Sequence, residues 1–435
     1  MRPTVGYLPF ADTTHSVEAA WLEEHLPVAV RVAYSGPALN GAVSGVVGSR
    51  ERERLGRVVD DFRTLPAVVA EGPGGFLLAA LLRSRGFAGA VTILPYVNPR
   101  RWYDVAAVAL YRRFADPRDR VFLGSGPSAA IYRALGVGVS VAEPYGIDDR
   151  VFMPGPSAGA ARVRDELSIP SGRMLLYSGR AQPDKDLYRL LRVGVKARVL
   201  FPDLQVVVAS HVVDGAYLAA ARAHLDGGDG VHFREGVSRP ALAGLYSAAD
   251  VVVTASTSHF ETFGRALAEA LACGTPVVAP RYDGFAEVLA QVGGTLVDVD
   301  TDPRTGLPCV DEQPLLRAVY EVLSAPHPPP AGEVAAAARR RFGRSETIRV
   351  LDHLAGGSPA GPVDGVAPAG LELPGEWRAA LVEITEGERP EAVPWFWRHC
   401  DDGSLASHDE AFVGHVRRLL CRPPVVREEV AAACR

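Results

Sequence analysis

Short apolar runs alternate with amphipathic stretches along most of this chain. The apolar runs are rich in Val, and the amphipathic stretches repeat their apolar positions with the 3.6-residue period of a helix. Runs such as QVVVAS and DVVVTAS are apolar at nearly every position. That pattern is typical of parallel strands covered by helices on both faces. The alternation therefore predicts an α/β protein with two doubly wound domains.

The predicted elements extend through both halves of the chain. The strands are Thr4–Leu8, Val28–Ala33, Ala67–Ala70, Ala90–Leu94, Val121–Leu123 and Val139–Ala142, then Met174–Ser178, Gln205–Ala209, Val231–Phe233, Asp250–Thr254, Pro276–Ala279 and Thr295–Val297. The helices include Val17–His25, Glu51–Phe62, Phe76–Arg85, Tyr103–Phe114, Leu187–Leu200 and Phe263–Ala272. We place the first domain at 1–148, the second at 149–350, a Gly/Pro-rich connector at 351–370 and a helical appendage packed back on the body at 371–435.

Composition narrows the class of partner. The 435 residues include 46 Lys and Arg against 51 Asp and Glu, a net charge of −5. This mild acidity lacks the attraction that most nucleic-acid and anionic-membrane binders use, so we expect neither nucleic acid nor stable membrane association. The 5 cysteines lack metal-ligand spacing. With no signal-peptide pattern at the N-terminus, they favour a cytoplasmic protein. A homodimer is left open.

The segment SGRAQPDK carries two cations directly after a predicted buried strand. Ligands in open α/β sheets bind beyond the carboxyl ends of strands, where Arg180 and Lys185 would lie with Gly179. An Arg fork and a Lys point charge suit the oxygens of a diphosphate. Alone, this pattern is better explained as ordinary surface charge.

The segment HFETFGRALAEALACGTPVVA changes that balance. A helix is predicted to open at about 262–263, with the amides of Phe263, Gly264 and Arg265 available to an anion. Glu261 and Glu269 would be separated by roughly 12 Å along the helix axis. That separation suits one carboxylate for a sugar and the other for a ribose. The alternative is two exposed charges, but Glu269 lies among Ala and Leu residues, where an unpaired charge is costly.

A third segment, FREGVS, follows another predicted strand. Its loop offers backbone groups at Gly236 and Val237 to a nucleobase, and Ser238 is a predicted helix N-cap. By itself the loop carries little functional weight.

Together these segments resemble the retaining glycosyltransferases of the GT-B fold, in the large family 4 that includes the phosphatidylinositol mannosyltransferases. The matching stretches are EPYGIDDRVFMP, SGRAQPDK, FREGVS and HFETFGRALAEALACGTPVVA, in this order within about 139–342. The resemblance implies two Rossmann-like domains facing each other across a cleft. The N-terminal domain would bind the acceptor, and the C-terminal domain a UDP- or GDP-linked sugar.

The resemblance also implies roles for individual residues. Arg180 and Lys185 would contact the donor diphosphate, Glu261 the sugar and Glu269 the ribose. The other donor-binding candidates are Gly179, Gly236, Val237, Thr262, Phe263, Gly264 and Arg265. Because cations and a helix N-terminus supply the charge stabilisation, we expect neither a metal nor a cofactor.

The first domain departs from the family pattern at two places. His15 and Ser16 stand where a glycine pair is usual, and Leu94 or Pro95 stands where many members have a histidine. The acceptor-side candidates are His15, Ser16, Glu18, Glu71, Tyr96, Asn98 and Arg101. Ser16 is equally explained as a helix cap, and the residues from Tyr96 onward as ordinary packing.

We expect transfer of a sugar to a soluble small molecule, such as a specialised metabolite, through an oxygen, nitrogen or sulfur nucleophile. Two alternatives stay open. One is a catalytically inactive subunit that binds a nucleotide sugar, which the missing histidine favours. The other is a different GT-B reaction, such as 2-epimerisation of a nucleotide sugar or an inverting transfer, because a fold alone does not select the reaction.

Overall fold

In a computed structural model the chain forms two α/β units, each built on a sheet of six strands. The described residues are 2–10, 17–33, 49–98, 104, 107–108, 111–112, 114–155, 157–166, 168–169, 171–182, 185–210, 215–223, 230–258, 261–301, 308–326 and 331–356. Of these, residues 2–144 and 348–356 form the first unit, and residues 145–347 form the second. The predicted connector beyond residue 356 and the predicted appendage lie outside the described residues.

The first unit is built on a parallel sheet of six strands. Its strands are β1 (Thr4–Leu8), β2 (Ala29–Val32), β3 (Ala67–Glu71), β4 (Ala90–Leu94), β5 (Arg120–Leu123) and β6 (Ser140–Val141). Its helices are α1 (Val17–His25), α2 (Ser49–Phe62), α3 (Gly74–Ser84) and α4 (Gly126–Ala134). The strand order is β2-β1-β3-β4-β5-β6, so the direction in which strands are added reverses between β1 and β3.

The second unit repeats this plan with different connections. Its six parallel strands are β7 (Met174–Ser178), β8 (Gln205–Ser210), β9 (Val231–Glu235), β10 (Val251–Val253), β11 (Val277–Pro280) and β12 (Thr295–Val297). The helices are α5 (Ser157–Glu166), α6 (Leu187–Leu200), α7 (Gly215–Ala223), α8 (Arg239–Ala248), α9 (Arg265–Ala272) and α10 (Asp283–Val292). The order β12-β11-β10-β7-β8-β9 reverses between β7 and β10.

The second unit continues beyond its sheet. An antiparallel hairpin of β13 (Val299–Thr301) and β14 (Pro308–Val310) is followed by α11 (Glu312–Ser324) and α12 (Ala331–Phe342). Helix α13 (Arg344–Leu351) then carries the chain from the second unit back to the first, where a short 3₁₀ turn, Asp352–Ala355, follows.

The predicted doubly wound α/β class is confirmed in both units. All residues of β3 and β8 are buried, as expected for parallel strands covered on both faces. Helix α2 contributes Leu55 and Phe62 to the core of the first unit, as its apolar period predicts. The predicted helix Tyr103–Phe114 falls mostly outside the described residues.

Candidate functional site

The strand-order reversal between β7 and β10 defines the candidate site of the second unit. Where connections leave neighbouring parallel strands in opposite directions, a crevice opens at the carboxyl ends of those strands. The segments 179–182 and 185–186 follow β7, and 254–258 and 261–264 follow β10. Most of the residues predicted to bind the diphosphate and the sugar are therefore on the two segments that flank this reversal.

Lys185 and Glu261 meet there, although they are far apart in the sequence. The Lys185 ammonium donates to Glu261 Oε1 in an ion pair, and the two side chains are only 11% and 14% exposed. Lys185 is held just before α6, where its amide donates to the carbonyl of Gln182. Each charge in such an enclosed pair depends on its partner, because a single buried charge is costly. The structure thus joins a predicted diphosphate ligand to the predicted sugar ligand.

The loop after β7 places Arg180 beside the same strand end. Its guanidinium donates to the Gln182 side chain, and its carbonyl accepts from Tyr177 Oη at 2.7 Å. A Cβ on Gly179 would lie 2.9 Å from that hydroxyl, so a glycine permits the close approach. The Ala181 amide donates to Ser210 Oγ at 3.1 Å. These bonds fix the loop on which the half-buried Arg180 stands.

Helix α9 starts later than the sequence predicts, which corrects the expected opening at 262–263. Gly264 is the N-cap, with φ of +93°, and the first helical residue is Arg265. The amides of Leu267 and Ala268 already donate to the Gly264 carbonyl. The helix start was wrong because the left-handed conformation of Gly264 delays the first turn.

Glu261 is consequently a loop residue and does not share the helix with Glu269. Its amide donates to the Ser258 carbonyl at 3.0 Å, which anchors the loop before Thr262 and Phe263. The distance of about 12 Å expected along a common helix axis therefore does not apply. Phe263 is fixed from the other side, since a Cβ on Gly284 would lie only 2.6 Å from its Cα.

Glu269 lies deep in the unit. Burial raises its pKa to about 7, and Arg265, Arg239 and a hydrogen bond from Tyr246 oppose that rise. Tyr246 Oη donates to Glu269 Oε2 at 3.4 Å. The carboxyl is thus held in an apolar setting with compensating groups, as its Ala and Leu neighbours in the sequence suggested.

The third predicted segment forms a tight turn at the end of β9. Gly236 has φ of +66°, and its amide donates to the Ser210 carbonyl at 2.9 Å. Ser238 caps α8 by accepting from the Ala241 amide, as predicted. Gly236 is exposed and Val237 half-buried. Nothing in these contacts identifies a nucleobase site.

The first unit has a carboxyl group at its own strand-order reversal. Glu71 ends β3, is 5% exposed and accepts hydrogen bonds from Tyr7 Oη, from the Phe10 amide at 2.8 Å and from Tyr96 Oη at 3.3 Å. Burial raises its pKa to about 7, and the nearby Glu18 contributes to the rise. Three acceptor-side candidates, Glu18, Glu71 and Tyr96, are therefore brought together.

The remaining acceptor-side candidates are distributed differently. Asn98 is buried at 1% exposure close to Tyr96, which has a left-handed backbone with φ of +60°. His15, Ser16 and Arg101 lie outside the described residues.

Several contacts have no signal in the sequence. His353 Nε2 lies 2.8 Å from the hydroxyl of the buried Thr92 on β4, two residues before Leu94. Tyr246 and Tyr7, the partners of the two buried glutamates, were also missed. Each is a tyrosine in an apolar run, and residue type alone does not separate it from a packed aromatic.

The described part of the chain contains no group of three or more His, Cys, Asp or Glu side chains arranged to hold a metal ion. No helix within it combines the length and apolar character that crossing a membrane requires.

Comparison with known proteins finds similarity within the second unit. Residues 161–304 match the family Glycosyl transferases group 1. A D-inositol 3-phosphate glycosyltransferase of Thermobispora bispora is 35% identical over 185 residues, covering 40% of this chain and 42% of that protein. A GDP-mannose-dependent alpha-(1-6)-phosphatidylinositol dimannoside mannosyltransferase of Mycobacterium tuberculosis is 29% identical over 201 residues, covering 46% of this chain and 51% of that protein. The chain spans about half the length of the curated relatives it matches.

A solved structure shares the fold more widely. HepE from Anabaena, crystallised with UDP and glucose, aligns with a TM-score of 0.63 at 18% identity, over 81% of this chain and 100% of that one. At this identity the likeness establishes the architecture, which is that of two doubly wound units.

Proposed function

We propose that this chain, which matches the family Glycosyl transferases group 1 over residues 161–304 and has a GT-B fold, transfers a sugar from a nucleoside diphosphate sugar to a small acceptor. The observation that carries the proposal is the Lys185–Glu261 ion pair at the reversal between β7 and β10. It places a cation suited to a diphosphate against a carboxylate suited to sugar hydroxyls, within the matched region.

The second unit would bind the donor. Lys185, Arg180 and the first amides of α9 neutralise the diphosphate, Glu261 accepts from the sugar and Glu269 accepts from the ribose. The turn at Gly236 and Val237 would receive the base. An incoming diphosphate competes with Glu261 for the Lys185 ammonium, so donor binding draws the lysine from its resting partner.

The reaction we propose retains the configuration of the sugar. The bond from the anomeric carbon to the diphosphate oxygen breaks, and the nucleoside diphosphate leaves with the electron pair. The acceptor nucleophile bonds to the same face of the sugar, and its proton passes to a donor phosphate oxygen. Lys185 and Arg180 stabilise the charge on the leaving group, the largest electrostatic demand of this step, and no metal ion is required.

The first unit would bind the acceptor through the cluster of Glu71, Tyr96 and Glu18. We propose a soluble small molecule with hydroxyl groups, such as a specialised metabolite. In support, the Thermobispora bispora relative is named for D-inositol 3-phosphate, a soluble molecule that presents ring hydroxyls. The Mycobacterium tuberculosis relative is named for a lipid-linked acceptor, which is the alternative that the screen below separates. Tyrosine hydroxyls and a carboxyl group are suited to such a ligand.

A screen of UDP- and GDP-linked sugars against pooled small acceptors, read by mass spectrometry, tests the proposal. We expect one donor to be consumed with formation of a glycosylated acceptor of the same anomeric configuration, which NMR determines. Conversion of the donor without an acceptor would instead indicate an epimerase. Donor binding without any product would indicate an inactive subunit, and products formed only on lipid-linked acceptors would contradict a soluble acceptor.

A further inference from the structure

Tyr246 connects three parts of the second unit through one hydroxyl group. The residue lies on α8 with 0% exposure. Its Oη donates to Glu269 Oε2 on α9 at 3.4 Å and is hydrogen-bonded to the side chain of Ser178, the last residue of β7. Gly179 and Arg180 follow Ser178 directly, so the hydroxyl joins the loop proposed for the diphosphate to the carboxyl group proposed for the ribose.

We propose that Tyr246 is a positioning residue that orients the Glu269 carboxylate to accept hydrogen bonds from the ribose hydroxyls of the donor nucleotide. The inference rests on the proposed function, because it assumes that Glu269 meets a ribose. In this role Tyr246 acts through Glu269 and does not itself bind the donor.

The direction of the hydrogen bonds supports this role. Tyr246 Oη donates its one proton to Glu269 Oε2, so it can only accept in its hydrogen bond with the Ser178 hydroxyl. A carboxylate group that already accepts one hydrogen bond has a fixed orientation. Since Tyr246 occupies Oε2, we expect the ribose at Oε1.

Electrostatics gives the tyrosine a second effect. Burial favours the neutral form of Glu269, whereas Tyr246, Arg265 and Arg239 favour the carboxylate. Cys273, the residue that follows α9 directly, also interacts electrostatically with Glu269. Without the Tyr246 hydroxyl, the protonated form of Glu269 becomes more favourable. A protonated carboxyl group accepts hydrogen bonds from ribose hydroxyls less well than a carboxylate does.

Simple packing would use the ring and not the hydroxyl. A phenylalanine fills nearly the same volume, but a buried hydroxyl is costly unless it is bonded. Tyr246 meets that requirement through two side chains at the proposed site. Replacement by phenylalanine therefore removes the hydrogen bonds and keeps the ring.

Calorimetric titration with UDP and 2′-deoxy-UDP, and with the guanosine pair if GDP binds better, tests the inference. A hydrogen bond to a charged group contributes about 1.5–3 kcal/mol, so we expect the wild type to prefer the ribonucleotide by about tenfold or more. In Tyr246→Phe we expect this ratio to fall towards one, with affinity for the 2′-deoxynucleotide unchanged. Raising the pH above the Glu269 pKa should partly restore the preference.

Two further variants complete the experiment. Ser178→Ala should reduce the ratio in the same direction but less, and it keeps the test intact if Tyr246→Phe does not fold. Tyr217→Phe removes a hydroxyl on α7, where Tyr217 contacts Tyr188 edge-on, and should leave the ratio unchanged.

The failure of the inference and that of the proposed function have different signatures. Equal losses of affinity for both nucleotides in Tyr246→Phe, or an unchanged ratio, would overturn the positioning role while leaving nucleotide binding established. A wild-type protein that binds neither the uridine nor the guanosine nucleotides would overturn the proposed function and the inference with it.

Discussion

The strand order reverses between β7 and β10 in the second unit and between β1 and β3 in the first, so the residues at the two reversals can be compared directly. In the second unit Glu261 is paired with the cation of Lys185. In the first, Glu71 is surrounded by neutral donors, two tyrosine hydroxyls and a backbone amide.

The difference indicates that the two reversals are suited to different kinds of ligand. An ion pair can exchange a carboxylate for another anion, so the second reversal is suited to a diphosphate. The neutral donors around Glu71 supply no positive charge that could attract an anion. Burial and the nearby Glu18 also raise the pKa of Glu71, which favours its uncharged form. The Glu71 cluster is therefore better suited to hydroxyl groups.

Removing Glu261 should have the largest effect on turnover. In Glu261→Ala we expect kcat to fall by about 100-fold, because the sugar loses a ligand during charge development. Affinity for UDP or GDP should be retained or increased, since Lys185 loses its resting partner. Steady-state kinetics and calorimetry separate the two effects, and unchanged turnover would remove Glu261 from the site.

Removing Lys185 should lower the affinity for UDP or GDP, in contrast to removing Glu261. Loss of a charge-assisted hydrogen bond of about 1.5–3 kcal/mol weakens nucleoside diphosphate binding by about ten- to a hundredfold in Lys185→Ala. Calorimetry measures the change directly.

The ion pair of Lys196 with Glu312 provides a matched control on the same unit. Lys196 lies near the carboxyl end of α6 and is 46% exposed, whereas Lys185 stands before the start of that helix. Lys196→Ala should bind the nucleotide as the wild type does. Equal losses in the two lysine variants would mean that general charge, and not the reversal between β7 and β10, attracts the nucleotide.

Replacing Glu71 by glutamine should change how the stability of the protein depends on pH. The folded pKa, about 7, lies above the ordinary value of 4.5, so the folded state binds more protons between those values. Wild-type stability should therefore fall as pH rises through this window, by up to about 3 kcal/mol relative to the glutamine variant. Urea unfolding of both proteins across the window measures the difference.

Glu269→Gln makes the comparison sharper. Glu269 has a raised pKa of about 7 as well, so its variant should show the same sign of pH dependence. Only Glu269→Gln should weaken binding of UDP or GDP, whereas Glu71→Gln should leave it unchanged. Weaker nucleotide binding in Glu71→Gln would contradict the separation of roles between the units.

Much of the fold could be predicted because buried parallel strands have a distinctive sequence. The predicted limits of β1, β4, β7 and β12, and of helices α1 and α6, agree with the structure to the residue. Continuous apolar runs fix such strands, and sharp polar boundaries fix their ends.

The candidate site was only partly predictable. Sequence segments indicated Lys185 and Glu261 separately, but their ion pair joins residues 76 positions apart. The bond between Thr92 and His353 joins residues 261 positions apart. The late start of α9 depends on the backbone conformation of Gly264, which a helical pattern of apolar residues does not encode.

Hydrogen–deuterium exchange with and without saturating UDP or GDP tests the central claim most directly, because it reports on both reversals in one experiment. We predict slower exchange in 179–186 and 261–269, with little change in 67–98, and loss of that protection in Lys185→Ala. Protection confined to 67–98, or protection in the second unit that persists without Lys185, would contradict a diphosphate site at the reversal between β7 and β10.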